Sequence, residues 1–136
     1  MSLSINQQQL VEQFSLLKSW EDKYRFILRL GKSVPAMDDV LKVDDVLLNG
    51  CESNVWFYGE VVDDRLQLNI YSDAKIVRGL IAIICESFQG LALDKVVTFD
   101  CAQFLEELGL LSHLSPSRGN GIRAIIEQIA KVAQTR

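Results

Sequence analysis

The sequence is poor in the residues from which hydrolytic and metal sites are built. Its 136 residues include a single histidine, His113. A thiol or hydroxyl nucleophile needs a base to take its proton and usually a third group to orient that base, so no catalytic triad is visible. Cysteines number three, at positions 51, 85 and 101. An odd count without a Cys-x-x-Cys pair excludes a simple disulfide framework and the common zinc-ribbon spacings. The dispersed thiols also give no iron–sulfur cluster motif. Positive charge is in the minority, with 14 Lys+Arg against 18 Asp+Glu and a net charge of −4. That balance argues against nucleic acid as the main partner, since phosphate binding needs a basic face. The longest apolar run, "GLIAII", is too short to span a bilayer. "MSLSINQQQLVEQF" lacks the basic start and continuous apolar run of a signal peptide. The expectation is a cytoplasmic protein with reduced thiols and no membrane segment.

What is present suits a globular domain: the apolar fraction is 49% and the charged fraction 24%. One domain over residues 1–136 is expected, large enough to need no disulfide or metal staple. From Gln7 to Leu17, Leu10, Val11, Phe14 and Leu17 recur at helical spacing. Ser19 with Asp22 reads as the cap of a second helix, with Trp20, Tyr24, Ile27 and Leu28 as its apolar stripe. Gly31 suits the position just past that helix, and Pro35 opposes a restart. "PAMDDVLKVDDVLLNG" then reads as a long surface connection with a short strand at Val46–Leu48.

Alternation follows. Val55, Phe57, Gly59 and Val61 share one strand face, and Leu66, Leu68 and Ile70 share another. A two-residue loop at Asp63-Asp64 pairs Val61 with Leu66 and Phe57 with Ile70, so the apolar faces match. Ser72 or Asp73 can cap the next helix, Ala74 to Phe88, which is apolar over most of its circumference and is expected at the centre of the core. Gly90 ends it. Asp100 reads as the cap of a short helix, and a last helix runs from about Arg118 or Gly121 to Gln134, with Ile122, Ile125, Ile126, Ile129 and Val132 inward. The class is α+β: an N-terminal helical hairpin, a small antiparallel sheet, and C-terminal helices packed around one buried central helix.

Cys85 and Cys101 lie in apolar helical phase and read as small buried hydrophobes. Cys51 belongs to no apolar period. It follows Asn49-Gly50 on a turn before a strand, where a thiol invites oxidation. Spacing alone leaves it as either a chance cysteine or a placed thiol. His113 reads as a loop histidine.

Gly50-Cys51-Glu52-Ser53-Asn54-Val55-Trp56 resembles the Gly-Cys-Gln-Ser-Gln-Val-Trp motif of the SufE-like sulfur acceptors, which work with cysteine desulfurases. Ser72-Asp73-Ala74 with "IVRGLIAII" is similar to the family's Ser-Asp-Ala start of a helix bearing "IVKGLIAV". "LGLLSHLSPSRGNG" and "WEDKYRFILRLG" resemble two further family segments, in the same order. The resemblance implies that Cys51 accepts persulfide sulfur from a desulfurase that carries pyridoxal phosphate, and passes it to an iron–sulfur scaffold or another acceptor. It implies no cofactor or metal on this chain. A thiol that must enter another protein's active site belongs on a turn. Glu52 stands where the family has glutamine, and its charge disfavours the neighbouring thiolate.

Gly50, Glu52, Ser53, Trp56, Asp73 and Arg118 are the loop and partner-binding candidates beside Cys51. Leu47, Leu48 and Trp56 can shelter a persulfide; Trp56 can equally be half of a cross-strand pair with Tyr71. Asp73 can be merely a first-turn charge and Arg118 an anchor of the segment before the last helix. Two other functions stay open: a docking module that activates a desulfurase without carrying sulfur, and a thiol redox protein using Cys51 with His113.

Overall fold

The structure, a computed structural model, describes residues 3–48 and 53–134. Helix α1 spans Ile5–Ser15. Its start lies earlier than Gln7 because Ser4 and Gln7 form a reciprocal capping box, each side chain accepting from the other's backbone N–H. The buried stripe is Gln7, Leu10 and Phe14. Val11, expected on the inner face, sits at the edge of that stripe and is exposed. Gln7 takes an inner place because its Nε2 donates to the Ser87 carbonyl at 2.8 Å.

Helix α2, Trp20–Lys32, is capped by the Ser19 hydroxyl, which accepts from the Asp22 N–H at 3.2 Å. Acidic Glu21 and Asp22 open it and basic Arg29 and Lys32 close it, both favourable to the helix dipole. Gly31 is not its stop signal. The residue is helical and buried, because the last turn of α2 crosses a neighbouring helix there. Tyr24, placed in the apolar stripe, is exposed.

Strands β1, Val55–Val62, and β2, Arg65–Ser72, pair antiparallel with Val61 opposite Leu66 and Phe57 opposite Ile70. Asp63 and Asp64 turn the hairpin with φ of 51° and 63°. Positive φ at both central residues makes the loop type I′, whose twist matches the strands. A lone hairpin is marginal in water. This one buries Val55, Phe57, Ile70 and Ser72 on the helical layer.

That layer centres on α3, Lys75–Phe88, in which Ile76, Val77, Gly79, Leu80, Ile81, Ile83, Ile84, Ser87 and Phe88 are buried. Helices α1 and α2 both dock on it, and they meet each other through the edge-to-face pair Phe14–Phe26, 5.3 Å between centroids. Neither Ser72 nor Asp73 caps α3; the cap position is Ala74, with no side-chain bond. The Ser72 hydroxyl instead accepts from the Ala74 N–H at 3.2 Å, inside the turn. Gly90, at φ 78°, ends the helix as expected.

Helix α4, Leu93–Thr98, was not foreseen; six residues with two buried apolar positions give too little period to read. Helix α5, Cys101–Glu107, is capped by Asp100, whose carboxylate accepts from the Gln103 N–H at 3.0 Å. Helix α6 runs Pro116–Gln134, starting before Arg118 because proline is pre-set for the first helical turn. Ile122, Ile125 and Ile129 are buried, and Ile126 and Val132 are half-buried.

The stretch 34–48 crosses the outer face of the hairpin as two 3-10 turns, Asp39–Leu41 and Asp44–Val46. The Tyr58 hydroxyl donates to the Leu41 carbonyl at 2.6 Å and holds it down. The strand expected at Val46–Leu48 is reduced to a single bridge between Leu47 and Trp56.

Candidate functional site

Gly50, Cys51 and Glu52 lie outside the described residues, so the site is defined by what flanks and faces them. On the incoming side, Leu47 bridges Trp56, and the Leu48 N–H donates to the Val55 carbonyl at 2.9 Å. The segment that carries Cys51 therefore leaves and rejoins a clamped, antiparallel base at the start of β1. Leu47 and Leu48 are half-buried there and line an open groove of about 560 Å³ between β1 and α6, with Glu127 and Lys131 on its far wall.

Two residues on, Ser53 lines a narrow cleft with Val55, Val77, Ser117 and Arg118. Arg118 is half-buried in the first turn of α6, its backbone N–H donating to the Ser115 hydroxyl at 3.3 Å. A cation at a helix N-terminus opposes the dipole, and Arg118 has no ion pair among the described residues. On the other side, Asp73 is exposed and accepts from the Asn54 side-chain amide at 3.1 Å. The structure brings Ser53 to Arg118 and Asn54 to Asp73, on the residues that directly follow Glu52.

Trp56 stands opposite Tyr71 in the register, the rings nearly parallel at 22° with centroids 6.5 Å apart. The cross-strand pair foreseen for Trp56 is therefore present. Two cations cover it. The Lys42 ammonium lies 5.4 Å from the Trp56 centroid and 5.1 Å from that of Tyr71, and the Arg78 guanidinium lies 4.6 Å from Tyr71. Such contacts stabilise by roughly 0.5–1 kcal/mol each at partly exposed sites. Sequence reasoning missed both cations. Arg78 left a signal, a lone charge in the apolar run "IVRGLIAII" that has to reach outward. Lys42 left none, because only the path of residues 34–48 puts it on the rings.

The other two cysteines lie on α3 and α5. Cys101 is buried, and burial chiefly pushes its thiol up to about 12, the Ser87 hydroxyl 3.7 Å away lowering it only in part. Cys85, expected to be fully buried, is half-buried along a groove beside residues 33–38, because its edge of α3 is not covered by another helix. Desolvation, with Glu86 adding to it, still pushes its thiol to about 12. Both shifts disfavour the thiolate, the form in which a cysteine is nucleophilic. His113 stacks on Trp20 with ring centroids 4.8 Å apart and 10° between planes. Among the described residues no three His, Cys, Asp or Glu side chains gather to hold a metal ion, and no helix is long and apolar enough to cross a membrane.

A SufE family model, described as an Fe-S metabolism associated domain, matches residues 8–133. An uncharacterized SufE-like protein of Rhizobium meliloti is 36% identical over 132 residues, 94% of each chain. One from Haemophilus influenzae is 36% identical over 121 residues, 88% of this chain and 96% of the relative. In structure, the chain is similar to a hypothetical protein from Thermus thermophilus solved in solution, with a TM-score of 0.78 at 17% identity, covering 98% of this chain and 96% of that one. At that identity the last match speaks for the fold alone.

Proposed function

The chain belongs to the SufE family, associated with Fe–S metabolism, and from that premise we propose that it is a sulfur carrier whose acceptor is Cys51. The donor is a cysteine desulfurase that uses pyridoxal phosphate and holds sulfur as a persulfide on its own cysteine. The carrier stimulates that enzyme by removing the sulfur, and delivers it for iron–sulfur cluster assembly. The Cys51 thiolate attacks the terminal sulfur of the persulfide. A bond forms between Cys51 Sγ and that sulfur, the bond to the desulfurase cysteine breaks, and that cysteine leaves as a thiolate. The transferred sulfur keeps its proton, and no electrons are gained or lost overall. This is thiol–disulfide exchange with one extra sulfur, needing a thiolate and access but no acid–base group on the carrier. A reducing, cytoplasmic setting keeps such a thiol free.

The observation that supports this reading is the setting of the alternatives: Cys101 is buried, Cys85 is half-buried and desolvated, and both thiols are pushed up, away from the thiolate. Cys51 remains, in the segment that matches the family motif. Gly50, Glu52, Ser53, Trp56, Asp73 and Arg118 then form the surface a desulfurase meets. The exposure of Asp73 and the place of Arg118 in the cleft beside Ser53, without an ion pair among the described residues, support that role.

The test is mass spectrometry after incubation with a cysteine desulfurase and free cysteine. One added sulfur, about 32 Da, is expected on the Cys51 peptide, and none in Cys51→Ser. Faster desulfurase turnover with no added mass would instead make the chain a docking activator. Loading that persists in Cys51→Ser would remove Cys51 as the acceptor.

A further inference from the structure

Helix α3 begins without a side-chain cap and without an acidic residue in its first turn. The turn from β2 into α3 is held from within the helix instead. Arg78, one turn in, reaches back so that its Nε donates to the Ser72 carbonyl at 3.0 Å, while its guanidinium lies 4.6 Å from the Tyr71 ring centroid. Ser72 is fully buried and bonds the Ala74 N–H. Asp73, set between these two fixed residues, is exposed, yet its carboxylate is aimed at Asn54 and takes that residue's amide at 3.1 Å. An exposed hydrogen bond has little net strength unless one partner is already oriented. Arg78 supplies that orientation by pinning the residue before Asp73. A planar guanidinium can lie over a ring and donate in its own plane at the same time.

We propose that Arg78 is a positioning residue for sulfur transfer: acting through Ser72 and Asp73 it fixes Asn54 on the surface that meets the desulfurase. The assignment rests on the carrier reading given above. An Asn54 side chain oriented in advance spares the complex that ordering cost on docking. Arg78→Met keeps the side-chain stem and removes both the donor and the plane. It is expected to raise the desulfurase concentration needed for half-maximal sulfur loading by about three- to tenfold. Alkylation of Cys51 by a small neutral reagent, which needs no docking geometry, should stay within about twofold. Asn54→Ala, an exposed change that leaves Arg78 in place, should give a similar rise, and the double variant no more than either, because residues acting in one chain are not additive.

A wild-type half-saturation in Arg78→Met, or a double variant whose rise is the product of the single ones, overturns the assignment while leaving the carrier reading intact. A wild-type protein that takes up no sulfur removes the carrier reading and this role together. An Arg78→Met protein too unstable to assay does not end the test. The NMR signals of the Asn54 side-chain amide in Asp73→Asn and in Arg78→Lys should then shift together, and an unmoved Asn54 signal in Arg78→Lys overturns the proposal.

Discussion

Gly31 and Gly79 face each other where α2 crosses α3, so close that a Cβ on Gly31 would lie 3.0 Å from both the Gly79 nitrogen and the Lys75 carbonyl oxygen. A Cβ on Gly79 would fall on the Ile27 carbonyl oxygen itself. The backbones touch, and the faces around them, Ile27 on one helix and Ile83 and Leu80 on the other, close to full burial. Backbone cannot yield as a side-chain tip does. Gly79→Ala is therefore expected to destabilise the fold by about 3 kcal/mol or more. Gly31→Ala should cost less, since its clashes are shallower and alanine favours the helix by about 1 kcal/mol. Urea unfolding of both variants checks the order; Gly79→Ala at wild-type stability would mean that the helices cross elsewhere.

The hairpin turn gives a change in the opposite direction. Asp63 and Asp64 both hold positive φ, which costs an ordinary residue about 1 kcal/mol and glycine nothing. Asp64→Gly should raise stability by up to about 1 kcal/mol, with the Asp64 carbonyl still accepting from the Leu93 N–H at 3.1 Å. Asp64→Val should lower it. A glycine variant with a lower thermal midpoint contradicts the turn type.

Thiol counting tests the burial. Of the three cysteines, one should react with a thiol reagent at pH 8 in the native protein, and all should react after unfolding. A second fast native thiol contradicts the burial of Cys101 or the desolvation of Cys85.

Stability should also depend on pH. Burial raises Cys85 and Cys101 from an ordinary 9.0 to about 12. Unfolding returns them to the ordinary value, so between about pH 9 and 12 the unfolded chain binds fewer protons, and stability falls as pH rises through that window. Below pH 9 their contribution is whole. The urea midpoint should decline from about pH 9 upward, and less steeply in Cys101→Ala. An equal slope in that variant assigns the decline to other groups.

Glu52 is the departure from the family motif beside the proposed acceptor. Its negative charge opposes thiolate formation, so Glu52→Gln should speed alkylation of Cys51 at pH 7 by a few-fold at most, a gain that shrinks at high salt. An unchanged rate leaves Glu52 a docking role or none.

The sequence by itself determined what depends on neighbours along the chain. The alternation of Val55 to Val61 against Leu66 to Ile70 set the hairpin register, because a slip of one residue would turn every apolar side chain to water. Ser19 and Asp100 announced their helices because a cap is a bond across three residues. The circumference of apolar residues from Ile76 to Phe88 marked the central helix. Tertiary structure alone decided whatever depends on which surfaces meet. Gly31 reads locally as a helix stop, yet it lies inside α2 because Gly79 of α3 passes there. Val11 has the phase of the core but misses it, since a buried glutamine bonded to the Ser87 carbonyl takes the inner place. Lys42 and Arg78 converge on Trp56 and Tyr71 from a connection and a helix that share no local pattern. Asp73 became a partner of Asn54 rather than a cap because Arg78, reaching back across the turn, holds the residue before it. Local bonds are written in spacing; the cost of burying one surface against another exists only once the chain has brought both together.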